Sequence, residues 1–161
     1  MNTLILRRTG RTQWTLLDAS GPAAGRLRAG RGLASAELTT AAGSWLAHTR
    51  DRRRRHVTAG PGGAPGVRLA PREAQLPGSA PVPARWTVRR TPARYVGVLD
   101  HPDGRITVRA PALFGGRVRV ECTGTRSDLV VLAACFALLT RRHRDRMIML
   151  VVAAATSHGP G

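Results

Sequence analysis

Five arginines fall within six consecutive positions: Arg50, Arg52, Arg53, Arg54 and Arg55, with Asp51 among them and His56 directly after. Guanidinium groups pair with phosphate oxygens through parallel N–H donors, so this run is the candidate anion-binding site of the chain. The phosphates could belong to lipid headgroups or to nucleic acid. A plainer reading is a solvated hairpin tip in a chain that is rich in arginine throughout. No aromatic residue interleaves with the run, so it offers no platform on which single-stranded bases could stack. Helix-turn-helix, zinc-finger and RNP patterns are also missing. Non-specific nucleic-acid binding therefore ranks below association with an anionic lipid surface.

The other residues that could do chemistry are scattered. Asp100, His101 and Asp103 suggest metal ligands, but Asp-His-Pro-Asp-Gly is better explained as a turn. His48, His56, His101, His143 and His158 show no ligand spacing. Cys122 and Cys135 form no CxxC pair, and both sit in apolar patterns that imply buried free thiols. There is no GxSxG, no Walker loop, and no GxGxxG between a strand and a helix. Only nine carboxylates are present, and none forms an evident acid–base pair. These features imply a non-enzymatic binding or scaffold domain with no catalytic, metal or cofactor site. An enzyme assembled from residues distant in sequence is the remaining alternative.

The charge needs two explanations side by side. The formal net charge is +17, and all 26 basic residues are arginine. Such a balance invites acidic partners. A chain without lysine and rich in Ala, Gly, Pro and Arg also fits a bacterial genome of high GC content, where codon bias alone places arginine on surfaces. The apolar stretch near the N-terminus, Leu4-Ile5-Leu6, is too short for a signal-peptide core, so the expected location is cytoplasmic, peripheral to a membrane.

The elements that must position these residues read mostly in period two. Residues 85–89, 105–109 and 117–122 alternate polar and apolar, as antiparallel strands with one face in a core do. Arginine takes many of the water-facing positions, where its stem can cover apolar surface. Weaker strands fall at residues 4–7, 13–17, 25–28, 36–39, 44–48 and 67–69. Turns are expected at residues 18–22 and 100–104, and loops at 60–66 and 77–83. Many short strands imply a sandwich or a barrel, and residues 1–161 are read as one domain.

Period two stops at Ser127-Asp128, an N-cap pair. Residues 129–139 are then apolar on every face, so a helix over 128–140 must be enclosed on all sides. Joining this run to the apolar residues 147–155 would place Arg141, Arg142, Arg144 and Arg146 inside a bilayer, at a cost of about 10–14 kcal/mol on the insertion scale. A transmembrane helix is therefore rejected. The three arginines 141, 142 and 144 suit the dipole at the helix end, and residues 147–152 are expected to form a last buried strand.

Two segments carry a resemblance. Trp14-Thr15-Leu16-Leu17-Asp18 followed by Gly25-Arg26-Leu27 is similar to the early hairpin of the superfamily that joins tubby C-terminal domains, phospholipid scramblases and LURP-one-related proteins. Val118-Arg119-Val120, leading through Gly124 and Asp128 into the apolar helix, is similar to that superfamily's C-terminal part. The resemblance implies a mostly β fold, a closed antiparallel barrel of about twelve strands enclosing one hydrophobic C-terminal helix. It also implies peripheral association with anionic membranes, as in tubby-type members. No individual ligand residue carries over, and no acidic loop stands ready for calcium.

Overall fold

The computed structural model describes residues 1–113 and 115–157; His158 lies outside them. Twelve strands follow in order: β1 (Asn2–Arg8), β2 (Gln13–Asp18), β3 (Ala23–Ala29), β4 (Ser35–Thr40), β5 (Gly43–Thr49), β6 (Val57–Gly60), β7 (Val67–Ala70), β8 (Glu73–Leu76), β9 (Val82–Arg90), β10 (Arg94–His101), β11 (Gly104–Pro111) and β12 (Arg117–Gly124). Each pairs antiparallel with its neighbours in sequence, and β1 pairs with β12 to close the barrel. Among the described residues one long helix, α1 (Asp128–Ser157), follows the strands. The fold is mostly β, as the alternating patterns require.

The alternation sorts residues between wall and core. Leu4 and Leu6, Leu16, Leu27, Leu38, Leu69, Leu99, Ile106 and Val108, and Val118 and Val120 point inward and are buried. Exposed arginines such as Arg26, Arg28, Arg105 and Arg119 occupy outward positions. Six inward positions are alanines, Ala29, Ala36, Ala47, Ala59, Ala74 and Ala110. Small inward side chains leave the bore that a helix needs, since a barrel of this size is too wide to be filled by its strands alone. Gly25 shows how close the fit is: a Cβ there would stand 2.9 Å from Leu132 Cδ1 of the helix.

α1 fills that bore with residues 129–140, all buried, Val130, Leu132 and Phe136 among them. Its start is fixed by Ser127, whose carbonyl accepts the Val131 amide at 3.0 Å. Asp128 in the first turn meets the positive end of the helix dipole and pairs with Arg126 at 2.8 Å.

The far end corrects the sequence-based expectation. The helix does not stop at Thr140; it continues through the arginines to Ser157, and residues 147–152 are exposed helix instead of a buried strand. Two physical reasons account for this. Residues 141–157 contain neither Gly nor Pro, so nothing breaks the helix. The barrel is already closed, so no free edge exists for a thirteenth strand. The arginines thus line a helix interior, not its dipole end.

Candidate functional site

Because consecutive strands alternate in direction, every second loop lies at the same end of the barrel. The lower rim surrounds the start of α1, and the upper rim surrounds the point where it leaves. Upper-rim loops carry eight arginines, Arg11, Arg31, Arg50, Arg52, Arg53, Arg54, Arg55 and Arg72, against one carboxylate, Asp51. Lower-rim loops carry one arginine, Arg126, and it is taken up by Asp18 at 3.1 Å and Asp128 at 2.8 Å. The basic character therefore has a direction.

The run of five arginines is the β5–β6 loop, and the structure divides its members. Asp51 organises the turn by accepting the amides of Arg55 and His56, both at 2.9 Å. Burial acts to raise its carboxyl, but these donors and the His56 ring outweigh it and hold it below the usual carboxylate range. Arg54, in a left-handed conformation, turns inward. Its Nη1 donates to Gly32 O at 2.6 Å and to Thr140 Oγ1 at 3.2 Å, while Thr140 donates to Leu33 O at 2.6 Å. Arg54 thereby ties two upper loops to the helix. Arg50, Arg52, Arg53 and Arg55 remain exposed.

Arg54 and Arg55 share a cleft of about 430 Å³ with Arg72, Arg85, Arg89 and Arg141, floored by Trp86 and Ala137. Among the described residues no carboxylate lines it. Burial first, and then the neighbouring Arg55 charge, pulls Arg141 below its ordinary value; burial and then Arg144 do the same to Arg54. Arg50 faces a different depression, beside Arg68. The five residues of the run therefore do not converge on a single ligand, and Arg72, Arg85, Arg89 and Arg141 join two of them instead. In sequence these four are spread over the β7–β8 turn, β9 and α1, so only the closing of the barrel brings them together.

A collar of polar bonds grips α1 as it leaves. Arg142 is buried and donates from Nη1 to Pro111 O at 3.0 Å; burial, followed by the nearby Arg146, lowers its pKa to about 10. Arg146 donates to Ala112 O and Leu113 O. On the opposite side Tyr95 donates to Asp145 Oδ2 at 2.8 Å, and Arg90 lies over the Tyr95 ring, 5.5 Å from its centre. Burial and that hydrogen bond push the Tyr95 hydroxyl up to about 12. His143, half-buried beside Arg54 and Arg146, is pulled below its ordinary value by that burial first and then by the two arginines, which favours the neutral ring.

No family model, curated protein or solved structure matches the chain. Its function must therefore be read from the geometry alone.

Beyond the collar the helix emerges from the barrel, with Arg90 Nη2 of β9 reaching Met149 Sδ at 3.5 Å. Met147, Ile148, Met149, Leu150, Val151 and Val152 are all exposed, Leu150 at 64% and Val151 at 65%. No helix among the described residues is long and apolar enough to cross a membrane. The sequence pattern marked these residues as apolar, but their exposure follows from barrel closure, which a local pattern does not report.

The expected turn within residues 100–104 is the tight one at Pro102-Asp103 between β10 and β11. Asp100 pairs with Arg105 across that hairpin, and Asp103 O accepts the Thr125 amide of the β12–α1 connection at 3.1 Å. Cys122 and Cys135 are buried free thiols. Burial raises the Cys122 thiol to about 11 and pushes Cys135 well above the ordinary range, so neither is a ready nucleophile.

Proposed function

We propose that this chain is a non-enzymatic binding domain that associates peripherally with anionic lipid surfaces through its upper rim. The observation that carries the reading is the one-sided charge: eight loop arginines at one end and a single ion-paired arginine at the other. A codon-biased surface has no reason to separate the two rims in this way. Basic groups near an anionic bilayer contribute about 1 kcal/mol each, so several acting together hold a protein at the surface without any specific pocket. The arginine cleft at the rim, without an opposing carboxylate, adds a place for a phosphate.

The finer family reading belongs here as well. A closed barrel of twelve antiparallel strands around a C-terminal helix is the architecture of the tubby-like and LURP-one-related superfamily, and we read the chain as a domain of that type. The support is architecture together with the Trp14–Asp18 hairpin and its return through Gly25.

Vesicle sedimentation tests the proposal. Binding is expected to vesicles of phosphatidylcholine mixed with phosphatidylserine, to weaken as salt is raised, and to be missing with phosphatidylcholine alone. A parallel titration with duplex DNA supplies the contrast. Tight, salt-dependent DNA binding without vesicle binding would overturn the lipid reading and assign the same arginines to nucleic acid.

A further inference from the structure

We propose that the exposed end of α1, residues 147–155, is a monotopic anchor that enters the acyl region of one leaflet while the arginines at its base stay among the headgroups. The inference rests on the upper rim facing anionic lipid and adds an insertion that surface charge does not require.

Three observations converge on lipid as the occupant. The first is that these nine consecutive residues carry no charge and are exposed throughout, so every face of the helix is apolar. A protein groove, or the same helix from a second copy, covers one stripe of a helix. Acyl chains cover the whole circumference. The second is placement. Arg141, Arg144 and Arg146, each half-exposed, precede the apolar segment within about two turns, while Arg142 turns into the barrel, and the upper-rim loops surround the segment with further arginines. An apolar tip in a basic ring is complementary to an anionic bilayer, with hydrocarbon beneath phosphate. The third is the helix end. Thr156 Oγ1 donates to Val152 O and Ala153 O, and Ser157 Oγ donates to Ala154 O, at 2.9 to 3.1 Å. Hydroxyls turned back onto their own helix satisfy their own donors without water, as an apolar medium demands.

The dimensions agree. At 1.5 Å per residue the segment is about 13 Å long, close to the roughly 15 Å of one leaflet's hydrocarbon. The collar holds its direction: Arg142 and Arg146 are bonded to the β11–β12 side, and Asp145 to Tyr95 and Arg90 on β9 and β10. The anchor projects as a rigid continuation of a helix already fixed inside the barrel.

A fluorophore placed by Val151→Cys tests the insertion on the full chain. The native thiols are buried, so a maleimide form of the environment-sensitive dye NBD labels position 151 selectively. On mixed phosphatidylcholine–phosphatidylserine vesicles the emission is expected to shift to the blue, and lipids with nitroxide on the acyl chain are expected to quench it. Leu150→Asp with Val151→Asp, at positions outside the barrel, is expected to weaken vesicle binding by roughly tenfold and to abolish the part that survives high salt. A label that stays water-exposed while the protein sediments with vesicles would overturn the anchor and leave the rim's lipid binding intact. No sedimentation at all would overturn both. A blue shift that grows with protein concentration without vesicles would instead assign the segment to a second copy.

Discussion

Tyr95 and Asp145 show how a pair of residues far apart in sequence acquires a measurable signature. Tyr95 is the sole tyrosine of the chain, so its phenolate absorbance titrates without interference. Its midpoint is expected near 12, raised first by burial and then by the bond to Asp145. Asp145→Asn is expected to bring it down towards the ordinary 10 without reaching it, because burial remains. A wild-type midpoint at the ordinary value would remove the Tyr95–Asp145 bond from the collar. The linkage has a definite sign. A raised folded pKa means the stabilisation is complete below the unfolded value near 10, and it is lost as pH rises from there through about 12. Little of this was legible in the sequence, where Tyr95 was a strand residue and Asp145 one carboxylate among arginines. The five-arginine run was legible as a feature, but its division was not: a left-handed Arg54 that turns in to Thr140 depends on the helix behind it.

Among the elements, α1 is legible in one half and misleading in the other. Residues 129–139, apolar on every face, could only be an enclosed helix, and the barrel encloses them. Residues 147–152, with Ile, Leu and Val in a row, carry strand propensity, and that propensity yields to helix continuity and to the lack of a sheet edge. Strands with clean alternation, such as β12 with Val118, Val120 and Cys122 inward, were readable from period two. β6 was missed because all four of its residues are buried, so no alternation marks it, and β8 because its Glu-Ala-Gln-Leu is made of residues that favour helix over strand. The fit between helix and wall yields a pair of opposite errors to test. Phe136→Ala empties the centre of the bore and is expected to cost about 3–5 kcal/mol. Gly25→Val overfills it, driving a side chain against Leu132 and the Thr39 carbonyl, at about 1–3 kcal/mol. Urea unfolding followed by tryptophan fluorescence measures both. A negligible loss for Phe136→Ala would mean that the helix is not packed by the barrel as described.

At the scale of the whole molecule the decisive property is where the charge sits, not how much there is. The sequence supplied the total of +17, but only the up-and-down strand order assigns the arginines to ends. Two triple variants separate position from amount. Arg52, Arg53 and Arg55→Ser strips the exposed tip of the upper rim and spares Arg54, which bonds to the helix. Arg26, Arg68 and Arg105→Ser removes the same charge from exposed positions on the wall. All six residues lie outside the core, so both variants are expected to fold with near-native stability. If amount governed binding, the two would lose affinity for anionic vesicles equally. If the upper rim faces the lipid, the first is expected to lose about tenfold or more and to show a shallower salt dependence, since each arginine within a Debye length of the surface contributes about 1 kcal/mol. The second, with its arginines held along the wall, is expected to stay within about threefold of wild type. Equal losses would return the arginine surplus to composition and leave the barrel's directionality without a role in binding.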